Sequence, residues 1–158
     1  MNGAAPLEIT VDDPARDDVR ALLETHLAFS HSTGPRQYSF ALDVDALSEP
    51  GVTLYSARRG GELLGVGAIK RLDATHAELK STHTRAEARR QGVGRALVLH
   101  LLAAARAGGY ERVSLETGTM GEFAPARALY EAVGFVPCPP FGDYEETAYN
   151  TCMTLVLG

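Results

Sequence analysis

The run Arg89-Arg90-Gln91-Gly92-Val93-Gly94-Arg95-Ala96 has the residue types and spacing of an anion site. Its two glycines allow close backbone approach. Amides at a helix start point outward, where the helix dipole favours negative charge. A strand-like run over 76–84 precedes it and an apolar helical run over 96–107 follows. Arg85, Arg89, Arg90 and Arg95 surround the turn, although the chain carries a net charge of −5. A basic cluster on an acidic background suits a phosphate bound at one place and argues against a general nucleic-acid coat. A nucleoside-triphosphate loop needs Gly-Lys-Ser/Thr at the helix start. Here Arg95-Ala96 follows Gly94, so the magnesium-binding hydroxyl is missing. A dinucleotide fingerprint needs a third glycine where Leu97 stands.

The elements that would hold this turn are legible from periodicity. Leu7, Ile9 and Val11 alternate with polar residues, as in a strand. Asp12 or Asp13 can cap a helix with Pro14 in its first turn, and Val19, Leu22, Leu23, His26, Leu27 and Phe29 form its stripe. A second short helix is expected over 44–47, ended by Pro50-Gly51. Strands follow over 52–58, 63–72 and 76–84, with a Gly60-Gly61 hairpin turn between the first two. Leu97, Val98, Leu101, Leu102 and Ala105 make one broad buried helix face, closed by Gly108-Gly109. A strand over 112–117, a helix over 123–133, a strand begun by Phe135-Val136 and broken by Pro137, and a closing strand over 151–157 complete the order β-α-α-β-β-β-α-β-α-β-β. This is an α/β fold with a mixed, mostly antiparallel sheet flanked by helices, expected as a single domain over 1–158.

Several segments carry a specific resemblance. Arg89-x-x-Gly92-x-Gly94 before an Ala/Leu helix, then the 113–117 strand, then Ala126-Arg127-Ala128-Leu129-Tyr130-Glu131-Ala132-Val133-Gly134-Phe135, resembles the GNAT superfamily of acetyl-CoA-dependent acetyltransferases. Glu78-Leu79-Lys80-Ser81, Leu115-Glu116-Thr117-Gly118, Pro125-Ala126-Arg127 and the segment from Cys138 to Tyr144 resemble its YsnE-like bacterial subgroup. Two positions depart from the family pattern. Phe123 stands where Asn is frequent, and Ala86 where Pro is frequent.

The resemblance implies a donor site for acetyl-CoA as co-substrate. The backbone of Gln91, Gly92, Val93, Gly94, Arg95 and Ala96 would hold the pyrophosphate, with charge assistance from some of Arg89, Arg90 and Arg95. Thr82, His83 and Thr84 would lend main-chain groups to the pantetheine arm, which binds like an added strand. Tyr130 matches the family tyrosine that protonates or hydrogen-bonds the departing thiolate. An acceptor amine with pKa ~10.4 is only ~0.04% neutral at pH 7, so a base is useful. Glu78 and Glu116 are the candidates, acting through water, with His83 and His31 as further options. His31, Tyr38 and Tyr144, with Arg36 and Asn150, would orient the acceptor.

The reading is an N-acetyltransferase that moves acetyl directly to a primary amine of a small molecule. Cys138 and Cys152 lie outside the motifs, which disfavours a covalent acetyl-enzyme. Rival readings are a protein lysine or N-terminal acetyltransferase, and a non-catalytic acyl-CoA-binding regulator. No Cys/His ligand spacing suggests a metal. No apolar stretch reaches the ~18–20 residues of a membrane span, and 1–6 does not read as a signal peptide. A bacterial cytoplasmic protein is expected, with both cysteines as free thiols; the sequence leaves a bridge between them open. A homodimer is common in the resembled family.

Overall fold

Alternation of apolar and polar residues, interrupted by glycine turns, lays down seven strands and three helices. A computed structural model describes residues 5–32, 46–119, 121–142 and 144–157, and structural statements concern those residues. The elements are β1 (Leu7–Val11), α1 (Asp17–Ser32), β2 (Val52–Arg59), β3 (Glu62–Arg71), β4 (His76–Thr84), α2 (Val93–Ala107), β5 (Arg112–Gly118), α3 (Ala124–Val133), β6 (Val136–Cys138) and β7 (Asn150–Val156). The strands form one sheet in the order β1-β2-β3-β4-β5-β7-β6. Every neighbouring pair is antiparallel except β4–β5.

Strand alternation decides what each face carries. Ala77 and Leu79 of β4, Val113 and Leu115 of β5 and Met153 of β7 pack with Val98, Leu101, Leu102 and Ala105 of α2 and with Tyr130 of α3. The intervening residues Glu78, Lys80, Ser114, Glu116 and Cys152 therefore project from the opposite face. On that opposite face Val19, Leu22 and Leu23 of α1 cover Val66 and Ala68 of β3. Gly65 and Gly67 let α2 lie close on β3. A Cβ at Gly67 would stand 2.8 Å from Leu101 Cδ1.

Three local expectations change. The short helix expected over 44–47 is a single 3-10 turn at Ala46–Ser48, whose buried Leu47 joins the α1 core; residues 44–45 lie outside the described residues. α1 starts at Asp17, because Asp13 spends its carboxylate on the Ala15 amide (2.9 Å) in the turn before the helix. Pro137 does not break its strand. β6 is an edge strand paired only with β7, so the missing N–H of Pro137 costs no central ladder bond.

The close approach of α2 can be checked at Gly65. A Cβ there would lie 2.9 Å from Leu97 Cδ1 and 3.1 Å from the His83 carbonyl oxygen. Gly65→Ala is expected to cost about 1–3 kcal/mol through overpacking, read as a lower urea midpoint at unchanged slope.

Candidate active site

The site begins where two strands part. β4 and β5 pair from His76↔Arg112 to Leu79↔Leu115. Beyond that, β4 runs on along β3 to Thr84, and β5 runs on along β7 to Gly118. No ladder pair among the described residues joins them past Leu79 and Leu115. A bulge drives the split. Val66 faces His83 and Ala68 faces Lys80, so Ser81 and Thr82 together oppose Gly67. Ser81 takes φ 56°, a left-handed conformation uncommon for a residue with a Cβ. An extra residue of this kind bends its strand and ends regular pairing. Lys80 and Glu116 are the first residues beyond the fork. Ser81 Oγ is buried there with no hydrogen-bond partner among the described residues.

Beside the fork, the predicted anion turn is the N-terminus of α2. A 3-10 turn at Ala86–Ala88 leads out of β4. Arg90 and Gly92 both adopt positive φ, 66° and 80°, which turns the chain into the helix. α2 starts at Val93, three residues before the predicted start, because the buried Val93 side chain packs with Ala57, Leu64, Ala88 and Leu97. The first helical bond runs from the Ala96 amide to the Gly92 carbonyl, 3.0 Å. Ala96 is thus not an outward donor, a correction to the expected range. The amides of Val93, Gly94 and Arg95 precede that bond, in the turn where helix amides lack intrahelical acceptors. Arg89, Arg90 and Arg95 are exposed around them. The other arginine of the cluster has a structural post: Arg85 donates to the Leu63 carbonyl (3.3 Å) and pairs with Glu87 (3.3 Å). The Gln91 side chain accepts from Arg59 and donates to the Glu87 carbonyl, fixing the loop.

Tyr130 reaches the fork from α3. It is buried and packs edge-on against Phe135, with ring centroids 5.8 Å apart. Burial pushes its phenol up to about 12, and the facing Thr82 hydroxyl draws it back only in part. Thr82 Oγ1 nonetheless makes no hydrogen bond of full geometry. Thr84 Oγ1 backs the start of α2, 3.5 Å from where a Cβ on Gly94 would stand. Burial, and next the charge on Arg89, press His83 down to about 4, so its imidazole is neutral at pH 7 and a weak base.

The opposite face holds the acidic residues. Glu78 and Lys80 are both buried and paired at 3.2 Å. Lys80 also donates to the Tyr144 hydroxyl, and Tyr144 donates to Glu78. Removing one charge of such a buried pair strands the other, at a cost of roughly 3–5 kcal/mol. Glu116 is in a different state. Burial raises its carboxyl to about 7, while Lys80 and a hydrogen bond from Asn150 lower it and Glu78 adds to the rise.

A strap between β6 and β7 covers this face. Phe141 packs on His76 (5.8 Å) and on Tyr144 (5.1 Å). Asn150 pins the strap: its Oδ1 accepts from the Thr147 amide (3.0 Å) and hydroxyl (2.7 Å), and its Nδ2 donates to the Glu145 carbonyl (3.1 Å). Asn150, expected to touch the acceptor, is 6% exposed and used in this framework. The fold brings Tyr130, Thr82, Glu116, Glu78 and Tyr144 to the two sides of one fork. The His31 side chain, Arg36 and Tyr38 lie outside the described residues. Sequence reading gave Lys80 no role. Its signal was available: Glu78 and Lys80 are two apart on a strand, so their opposite charges share a face. Phe123, in the position where Asn is frequent in the family, packs its ring against Gly118; a Cβ there would overlap it at 2.2 Å.

A family model, Acetyltransferase (GNAT) family, matches residues 16–135, which include the fork and the start of α2. The chain belongs to that family and is an acyltransferase. Within the family it is YsnE-like. It is 42% identical over 151 residues to the uncharacterized N-acetyltransferase YsnE of Bacillus subtilis, covering 96% of this chain and 100% of that one. It is 38% identical over 149 residues to the uncharacterized N-acetyltransferase YedL of Escherichia coli, covering 94% of each. In fold it is similar to a Bacillus subtilis acetyltransferase solved in complex with CoA, with TM-score 0.73, 19% identity and coverage of 96% and 99%. It is also similar to a GNAT family acetyltransferase of Elizabethkingia anophelis with acetyl-CoA bound, with TM-score 0.71, 17% identity and coverage of 96% and 98%.

The raised Glu116 carboxyl has a stability consequence. The unfolded chain releases this proton near pH ~4.3, whereas the folded protein holds it to about 7. Stability therefore falls as pH rises between those values and then levels off. Glu116→Gln removes the effect. Its stability relative to wild type is expected to rise by a few kcal/mol from pH 4 to pH 8, measured by urea unfolding at both. A pH-independent difference would contradict the burial of a carboxyl here.

Proposed function

We propose that this chain moves an acetyl group directly from acetyl-CoA to a primary amine of a small molecule, with residues 1–158 acting as one catalytic domain. The observation that carries the reading is the fork: β4 leaves β5 after Leu79 beside the α2 N-terminus, with Tyr130 on one face and Glu116 on the other. The edge of β4 at Thr82, His83 and Thr84 would take the pantetheine arm as an added strand. The amides from Gln91 to Arg95 would hold the pyrophosphate, with Arg89, Arg90 and Arg95 around it. The solved acetyltransferases with CoA and acetyl-CoA support that donor.

The acid and base roles follow from environment. With its phenol at about 12, Tyr130 would lose about 5 kcal/mol in passing its proton fully to a thiolate of ordinary pKa ~8.5. It acts by donating a hydrogen bond to the departing sulfur. Glu78 is occupied by Lys80 and Tyr144, so it orients rather than abstracts. Glu116, half ionised near pH 7, suits a base that takes the ammonium proton, through water, after which the neutral nitrogen attacks the thioester carbon. The tetrahedral intermediate then collapses, the C–S bond breaks, and the sulfur leaves under Tyr130.

The strap of Phe141 and Tyr144 over the acceptor face supports a small amine over a protein chain. Acetyl-CoA is available in the cytoplasm, and the Bacillus and Escherichia relatives support a bacterial setting.

Thiol release from acetyl-CoA across a panel of amines tests the reading. Tyr130→Phe is expected to lower turnover by up to ~10²–10⁴ with acetyl-CoA affinity changed less than about twofold; unchanged turnover would remove Tyr130 from the chemistry. The base must be ionised, so kcat/KM is expected to climb with pH up to about 7 and then flatten. Glu116→Gln should lose that acid limb. Its persistence in the variant would assign the base elsewhere.

A further inference from the structure

We propose that Cys138 and Cys152 form a reversible cross-strand disulfide that loosens the strap over the acceptor face. The two residues are direct partners in the β6–β7 register. Opposed residues of an antiparallel pair have Cα atoms ~4.5–5.5 Å apart, inside the ~4.4–6.8 Å that a disulfide spans. They lie on the same face, and both are free thiols in this structure. β6 is a three-residue edge strand followed by Pro139-Pro140, so it can adjust without disturbing a central ladder. Both cysteines line one cavity of about 450 Å³, with Asn150 and Thr147 on its wall. Cys138 is half-buried and Cys152 is 4% exposed, so a reagent meets Cys138 first.

The strap begins at the proline pair after Cys138, and its residues Glu145 and Thr147 share one cavity wall with both cysteines. Burial raises the Cys152 thiol to about 11; the Phe141 amide hydrogen bond opposes the rise, while Cys138, Glu116 and Glu78 add to it. The chain runs from Cys138 through Pro139-Pro140 straight to Phe141, and the Phe141 ring packs on Tyr144, which holds Glu78 and Lys80. Drawing Cys138 onto Cys152 therefore pulls on the strap where it leaves β6 and closes down the cavity that the strap residues Glu145 and Thr147 line.

The oxidant is a low-molecular-weight disulfide. The Cys138 thiolate attacks one of its sulfurs, its S–S bond breaks, and one small thiol leaves with a proton. The Cys152 thiolate then displaces the second small thiol from the mixed disulfide. The protein loses two electrons and two protons, and the oxidant becomes two thiols. A raised thiol pKa slows attack at neutral pH, so the reaction runs faster in alkaline buffer.

Equilibration of the full chain with oxidised glutathione at alkaline pH, read by thiol titration and intact mass, tests the bridge without any assay of acetyl transfer. Wild type is expected to lose both titratable thiols and retain no glutathione, with dithiothreitol restoring both. Cys152→Ala should instead keep glutathione on Cys138, and Cys138→Ser should form no bridge. Glutathione retained on wild-type Cys138, or both thiols still titratable, would overturn the proposal. Amide exchange across 141–149 should quicken on oxidation of wild type. Unchanged exchange would overturn the link to the strap.

Discussion

Past Leu79 and Leu115 the one parallel pair among the described strands comes apart, and the rest of the site follows from that parting. A parallel pair at the centre of a sheet is normally zipped along its length by backbone hydrogen bonds. Here one extra residue on β4, with Ser81 in the left-handed region opposite Gly67, turns the strand aside. Two strand edges then face a gap instead of each other. Exposed edge amides and carbonyls pair readily with any extended chain that presents the complementary groups. The glycines of β3 belong to the same device. Gly65 and Gly67 admit α2 against the bulged strand, which places the helix N-terminus next to the gap.

The fork also separates two environments. On the α2 and α3 side the surroundings are apolar, so Tyr130 holds its proton firmly. On the other side Lys80 stands between two carboxylates with unequal partners. Glu78 has both the ammonium and the Tyr144 hydroxyl, whereas Glu116 keeps a desolvated carboxyl and the Asn150 amide. One cation shared unequally leaves the two carboxyls in different environments. A strap tied down by Asn150, Thr147 and Phe141 keeps the arrangement away from bulk water.

Much of this was legible before the tertiary structure. Leu97, Val98, Leu101, Leu102 and Ala105 announced the buried face of α2, and Gly92 and Gly94 announced the turn at its start. What periodicity missed was local competition. Val93 starts its helix early because its side chain is buried, which commits the Ala96 amide to a helical bond. Pro137 reads as a strand breaker, yet an edge position removes the penalty. Asn150 reads as a polar contact for a substrate, but its burial turns it to the strap.

By itself the sequence determined the element order, the two apolar faces and the positions of the turn, Tyr130 and the two glutamates, because these depend on short-range periodicity and side-chain type. Only the tertiary structure decided that β4 leaves β5 after Leu79, that Lys80 joins Glu78, and that Glu116 and Tyr130 sit in the environments that shift their pKa values. Register, burial and ion pairing come from residues far apart in the chain, such as Lys80 and Tyr144, and no local pattern encodes which of them will meet.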